Sequence, residues 1–408
     1  MNDLNGVLHG KERAFRNPKR RAALAAASIA VALTAIAACS SSSSAPQQSS
    51  TSGSTPSVDP GVAHAQQHVA EYEKAATSFP APGPALDAQR VAALKGKTVL
   101  FVPDGLIGPF PAIQQGVQTA LGHLGITLKT CDPNFLPTQV AACFGEAQTD
   151  GAIAVITAGI PYSLAANAYQ ALEAKHIPVM VSAAGPGNPA NTGDIAFESG
   201  DVSAALAGTV SADQVIADSN GKASVLFVAA SGSPTVASQA KVTQAEFAKY
   251  CPGCTVTTVS FDPTSTSQIA SSVSSALISN PSTNYILSQA DAYVPYILTG
   301  MQSSGSGTKA EIISETAVPA VLDMVQQKHG VSADIAFDSS YIGWNAVDGV
   351  LRLLTGVAVP AEPYDPVRVF NAANLAGLHL SAAMATDPLF GSTSFKQMFY
   401  ALWDGQQP

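Results

Sequence analysis

Residues 96–130 read GKTVLFVPDGLIGPFPAIQQGVQTALGHLGITLKT, and their pattern decides the fold. Thr98 to Val102 is a β-branched, apolar run of strand length. Phe110, Ile113, Val117, Leu121 and Leu124 then recur at helical spacing, and Gly125 stands where a helix would end. Ile126 to Thr130 opens a second strand. Short β-branched runs alternating with amphipathic stretches are the mark of a parallel sheet with crossover helices.

Outward from this unit, strands are expected near Ala152 to Thr157 and Ile177 to Ser182, and a second set near Ser224 to Val228, Thr255 to Phe261, Tyr285 to Ser288 and Glu311 to Ser314. Pairing the starts (98 with 224, 126 with 255, 152 with 285, 177 with 311) gives offsets of 126, 129, 133 and 134, so the second half replays the first. The expected fold class is α/β: two doubly wound parallel-sheet lobes joined by a hinge. Open parallel sheets bind ligands outside the carboxyl ends of their strands, and two facing lobes leave one cleft between them.

The chain has 408 residues, 46% of them apolar and 12% charged, enough for two cores and too uncharged for a disordered polyelectrolyte. Residues 1–21 carry six basic groups against two acids, whereas from Cys39 onward 14 basic residues face 27 acids. So acidic a body, with no basic stripe, argues against a nucleic-acid partner. Lys19-Arg20-Arg21 runs into Ala22 to Ala38, seventeen residues without charge or proline, which reads as a secretory signal and is too Ala-rich for a spanning anchor. Its exit, Ile36-Ala37-Ala38-Cys39 followed by serines, resembles a bacterial lipobox, which implies that Cys39 takes a lipid and ties the chain to the membrane.

The domain order is then a lipoprotein signal peptide over 1–38, a Ser-rich flexible tether over 39–60, and an N-terminal helix with a Pro-rich extension over 61–95. Lobe 1 takes 96–200 plus about 341–366. Lobe 2 takes 201–340 plus about 367–408 with the C-terminal tail.

Four further cysteines in an exported chain read as two bridges, Cys131 to Cys143 and Cys251 to Cys254. In the chain-entropy picture these are worth about 3 and about 2 kcal/mol. Cys251-Pro252-Gly253-Cys254 follows a helix instead of opening one, where the dipole disfavours a thiolate, so it is read as a staple and not a redox centre. No G-x-S-x-G elbow, Walker loop, H-E-x-x-H or EF-hand loop occurs. Gly185-Pro186-Gly187-Asn188-Pro189-Ala190 departs from a dinucleotide fingerprint and reads as a hinge-side loop. The seven histidines read as scattered, with His123 and His176 packed or solvated. Catalytic residues, metal and cofactor are all expected to be absent.

Several short motifs fall in a telling order. Gly96 to Val102 leads to Gly108-Pro109-Phe110 and Gln115-Gly116, with Asp150-Gly151-Ala152 before the third strand and Ile177-Pro178-Val179 before the fourth. Phe261-Asp262, Gln289-Ala290-Asp291 and Tyr341-Ile342-Gly343-Trp344 follow, the last opening a helix that ends near Gly356. In these the chain resembles the type 1 periplasmic solute-binding proteins of the ribose- and galactose-binding group, in particular lipid-anchored sugar receptors of ABC importers. The similarity covers about residues 90–360.

The resemblance implies a site. Phe110 matches an aromatic that stacks on sugar, Pro111 replacing the next one, and Ala183-Ala184 stand where many sugar binders have an Asp-Arg pair. Gln239 falls near a second-lobe Arg, Phe261 matches an aromatic, and Gln289 and Asp291 flank the position of an Asn. Glu315 stands where a strand usually ends in Asp, and Phe337 aligns with a Gln. With Asp104 and Tyr162 these make the expected ligand-binding set. Missing the Asp-Arg pair, the set suits a less polar ligand, or a cation balanced by Asp104, Asp291 or Glu315.

The implied function is capture of a small sugar-like solute for a membrane permease, by a monomer, through hinge closure. A lipoprotein presenting its ligand to a membrane kinase is the alternative. An exported hydrolase or thiol oxidoreductase would need an activated nucleophile that no motif supplies. A DNA-binding regulator of this fold would carry a helix pair where the export signal stands.

Overall fold

The structure, a computed structural model, describes residues 59–185, 190–198, 200–232, 234–305, 309–360, 365–380 and 389–408. The expected signal peptide, Cys39, the tether up to residue 58 and residues 186–189 of the Gly185 loop lie outside the described residues. No described helix is long and apolar enough to cross a membrane.

The chain opens with α1 (Pro60–Tyr72) and α2 (Ala88–Ala92). Then come β1 (Thr98–Pro103), α3 (Phe110–His123), β2 (Thr127–Thr130), α4 (Pro137–Thr149) and β3 (Ala154–Ala158). The first sheet closes with α5 (Ala166–Glu173), β4 (Val179–Ser182) and β5 (Ile195–Phe197). The second half runs α6 (Gly200–Asp218), β6 (Ser224–Ala230), α7 (Pro234–Tyr250), β7 (Thr255–Phe261), α8 (Ile269–Ser279) and β8 (Tyr285–Ser288). It continues through α9 (Val294–Ser304), β9 (Glu311–Glu315), α10 (Pro319–Gln327) and β10 (Val331–Phe337). Last come α11 (Ser339–Thr355), β11 (Val367–Asn371) and α12 (Ser394–Trp403).

Two separate sheets result, ordered β2-β1-β3-β4-β5 and β7-β6-β8-β9-β10-β11. Every pairing is parallel except β10 with β11. The first five strands of each sheet wind identically, so the repeat seen in the sequence is a repeat in space. The eight expected strands are present. β5, β10 and β11 were not expected: β5 has three residues, β10 carries Ser332 and Asp334 inside an apolar run, and β11 is an antiparallel edge strand.

Central strands β1, β3 and β4 are buried on both faces because helices cover both, which is why they read as continuous apolar runs. α3 and α11 meet through glycines that the motifs had marked. A Cβ on Gly116 would lie 2.4 Å from the Ser340 carbonyl oxygen, and one on Gly343 would lie 2.4 Å from that of Ile113. Only hydrogen lets these backbones approach so closely.

The helix expected outside both lobes finds a place in one, and the C-terminal tail packs in the other lobe from the one expected. α1 precedes lobe 1 in the chain but packs in lobe 2, where Val62, Ala65 and Val69 join Val215 and Ile216 of α6. α12, expected with lobe 2, belongs to the core of lobe 1. Its Phe395, Phe399, Leu402 and Trp403 form one helical face, and Trp403 stacks on Trp344 of α11 at 5.7 Å. The chain therefore also passes between lobes on its way to α2 and to α12, and these two passages are joined: the Ala76 amide donates to the Phe390 carbonyl at 2.9 Å, and the Ser392 amide to Ala76 at 2.9 Å. The other crossings follow β5, β10 and α11.

Both expected disulfides are present, Cys131–Cys143 and Cys251–Cys254. The second lies directly after α7, as a staple should. His123 stacks on Tyr400 at 3.6 Å, and exposed His176 pairs with Asp194 at 3.0 Å.

Candidate functional site

The expected site residues sit where strands end. In lobe 1, Asp104 follows β1 directly, its amide donating to Ala158 of β3 at 2.8 Å and its carbonyl accepting from the Phe135 amide at 2.7 Å. Burial, reinforced by the nearby charge of Asp132, raises its carboxyl to about 6. Phe110, first residue of α3, lays its half-buried ring over Gly159 after β3, where a Cβ would fall 2.5 Å from the ring. Gly159 has φ +79°, so this close approach needs glycine twice over. Tyr162 lies after β3, stacked on Tyr169 at 5.3 Å and edge-on to Phe197 at 6.1 Å. Its hydroxyl accepts from Gln170 at 3.2 Å.

Lobe 2 is built differently. Glu315 ends β9 fully buried, accepting one hydrogen bond from the Ser211 hydroxyl at 2.9 Å and a short one from the Gln239 side-chain amide. Gln289, just past β8, donates to Gln239 at 3.3 Å and to the Val236 carbonyl at 2.9 Å, and accepts from the Ala230 amide at 2.8 Å. Three expected residues thus form one network. With no cation beside it, burial pushes the Glu315 carboxyl up to about 8, against the pull of its two donors.

Asp291 is turned inward. Its carboxylate accepts from the Ser314 hydroxyl at 2.6 Å and from the Val318 amide at 2.6 Å. Neighbouring Asp334 accepts from the Ala317 amide at 3.1 Å. Between these two anchors Thr316 and Ala317 adopt φ +104° and +54°, a costly conformation for residues with a Cβ. The two carboxylates hold that turn in shape. Burial and mutual repulsion raise Asp291 well above the usual carboxylate range, and burial raises Asp334 to about 6.

Phe261 ends β7 in the lobe 2 core, edge-on to Tyr293 at 4.6 Å. Phe337 ends β10 and packs against cores of both lobes, immediately before Asp338 caps α11 through the Tyr341 amide at 3.0 Å. Across the lobes, the Gly185 amide after β4 donates to the Thr235 hydroxyl at the start of α7, at 2.6 Å.

The structure therefore joins Gln239, Gln289 and Glu315 in one group, Asp104 and Phe110 in another, and places Tyr162, Phe261, Asp291 and Phe337 in separate surroundings. Sequence reasoning missed Ser211, Thr235, Tyr293 and Asp334. Asp334 alone left a signal, as a charge in the middle of a buried strand. Among the described residues the one cluster of three metal-capable donors, His64, His68 and Asp213, includes none of the expected site residues.

No family model matches the chain, and no curated protein does. Solved structures match its fold. A 5-methylthioribose transporter solute-binding protein from Thermotoga lettingae, bound to 5-methylthioribose, superposes with TM-score 0.63 at 17% identity, covering 80% of this chain and 99% of its own. A glucose-galactose binding protein from Geobacillus stearothermophilus gives 0.60 at 17%, over 69% and 99%. A carbohydrate transporter from Acidothermus cellulolyticus in complex with myo-inositol gives 0.57 at 18%, over 71% and 98%.

Proposed function

We propose that this chain, whose fold is that of the type 1 periplasmic solute-binding proteins, is an extracytoplasmic receptor that captures a small sugar-like solute between its lobes and hands it to an ABC permease. The observation that carries this reading is a pair of open parallel sheets joined by the Gly185–Thr235 hydrogen bond, which links the segment after β4 to the start of the helix after β6, two strand carboxyl ends where open sheets take ligands. The ligands named for the fold's solved relatives, 5-methylthioribose and myo-inositol among them, support the solute class. Lipid attachment at Cys39 is part of the proposal and rests on the lipobox-like exit of the signal segment.

Within this reading Phe110 supplies an apolar face with Asp104 beside it, Tyr162 adds a second ring from the segment after β3, and the Gln239–Gln289–Glu315 group is the polar floor opposite. Asp291, Phe261 and Phe337 act behind them: Asp291 shapes the turn after β9, Phe261 fixes the end of β7, and Phe337 couples the two cores at a crossing. Ala183-Ala184 offer no charged pair for a fully hydroxylated ring, which favours a sugar-like solute with an apolar side. Solute touching both rims stabilises the closed lobes by its differential affinity for them.

The test is a thermal melt of the full-length chain against sugars, polyols, sugar derivatives, nucleosides and amines. A true ligand raises the midpoint, by about 2.7 kcal/mol of stability at a hundred times its Kd. A folded sample that no compound shifts would sink the reading.

A further inference from the structure

We propose that lobe 2 carries a second site, for a divalent transition cation of the zinc type, built from His64 and His68 of α1 and Asp213 of α6. The two histidines are four residues apart, so both rings project from one face of the helix. Their donor atoms and a carboxylate oxygen of Asp213 lie within 4.8 Å of one another. His68 Nδ1 is 2.6 Å from Asp213 Oδ2, and His64 Nε2 is 3.5 Å from Glu246 Oε1 of α7, so a fourth oxygen donor stands at the edge of the cluster.

Two further observations point to a ligand. Asp213 is fully buried, and its other oxygen, Oδ1, has no hydrogen-bond partner among the described residues. A buried carboxylate oxygen without a donor is costly, and a metal ion held by both oxygens of Asp213 would satisfy it. The rings are also held in place. His64 stacks on Tyr250 at 3.8 Å with 12° between the planes, and His68 meets Tyr72 edge-on at 5.1 Å. α1 itself is seated tightly: a Cβ on Gly61 would lie 2.0 Å from the Tyr250 carbonyl oxygen.

The donor set chooses the ion. Two imidazoles with carboxylate oxygens suit zinc and its neighbours, whereas calcium and magnesium demand oxygen alone. Donors on one tetrahedral zinc stand roughly 3.3 Å apart. The His68–Asp213 pair therefore opens slightly on binding, and the ion takes the place of the shared proton. Among the described residues Lys249 is the lysine or arginine acting on Asp213 and Glu246, and it is drawn over the Tyr250 ring at 4.5 Å. A bound ion would staple α1 to α6 and α7. α1 has need of it, because it buries only Val62, Ala65 and Val69.

The test uses the full-length chain without a histidine tag, stripped by a chelator and titrated with zinc alone. The expected result is binding of one zinc per chain, with a raised melting midpoint. His64→Ala and His68→Ala should each weaken it at least about tenfold, the lower bound for losing even an outer-shell partner. Half-exposed His64 tolerates replacement, and cobalt titration of the parent adds a visible d–d absorption that needs no variant. A folded parent that binds no zinc, or one whose affinity survives both substitutions, overturns the site.

Discussion

The two lobes share one winding but bury charge in different places. Lobe 1 buries Glu198 just past β5, where it accepts from the Asn345 side-chain amide at 2.6 Å, and buries a cation–carboxylate pair in the helical layer between α11 and α12. There Arg352 Nε donates to Asp348 at 2.6 Å, and the Trp403 indole donates to the other oxygen at 3.0 Å. In lobe 2 Glu315, Asp291 and Asp334 meet neutral donors and one another, with no cation beside them among the described residues, while Asp213 of α6 pairs with His68. The lobe 1 rim around Phe110 and Tyr162 is left half-exposed and aromatic, with Asp104 the acid beside Phe110. One rim is thus a saturated, prebuilt polar surface, and the other is a surface whose contacts are still to be made. A cleft made this way takes its rigidity from lobe 2 and its selectivity for apolar area from lobe 1.

Breaking the buried pair of lobe 1 should have the largest effect on stability. Arg352→Ala leaves Asp348 desolvated without its cation, a loss of about 3 to 5 kcal/mol, read as a shift in the urea midpoint. A loss under about 1 kcal/mol would mean that the pair is not closed to water.

The lobe 2 rim comes next. Glu315→Ala strands the Ser211 hydroxyl and the Gln239 amide and should cost about 1 to 3 kcal/mol. The pH dependence is more telling. With its carboxyl raised from 4.5 to about 8, the folded chain keeps a proton that the unfolded chain has released. The stability this group contributes is complete below the unfolded value and is lost as pH rises through about 8. Asp104, Asp334 and Asp365 have the same sign but finish near 6. Between about pH 7 and 8 the slope should therefore become shallower in Glu315→Gln, with the buried Asp291 and Glu198, raised in the same direction, carrying what remains. An unchanged slope in that variant would remove the rim carboxyl from the comparison.

The sequence exposed whatever periodicity writes. Thr98 to Val102 and the Phe110 to Leu124 spacing survive as β1 and α3, and the offset of about 130 residues survives as identical winding. It hid what depends on contacts between distant segments. Nothing near Phe395 says that its helix faces Trp344 and not lobe 2, and nothing near Asp291 says that its carboxylate turns inward to the Val318 amide. Position in the chain points to Gln239, Gln289 and Glu315 one by one, but their joining is a property of α7 starting where β8 and β9 end. His64 and His68 were in plain view at helical spacing. Their third partner is 145 residues downstream, on a helix whose register only the packing of α1 reveals.

The smallest effect expected is also the sharpest for the comparison. Phe110 is a half-buried ring at an open edge, so Phe110→Ala removes apolar contact without sealing a cavity, and should cost about 1 kcal/mol of stability, well below a fully buried phenyl. It should leave the pH dependence between 7 and 8 untouched, because Glu315 stands on the other lobe. It should weaken whichever solute raises the melting midpoint, since the half-buried ring is an aromatic face beside Asp104 at the lobe 1 rim. A stability loss of 3 kcal/mol or more would class Phe110 with the core and leave lobe 1 with no free aromatic face. Unchanged solute affinity, with stability nearly intact, would move the binding surface of lobe 1 away from Phe110 and towards Tyr162 and Asp104.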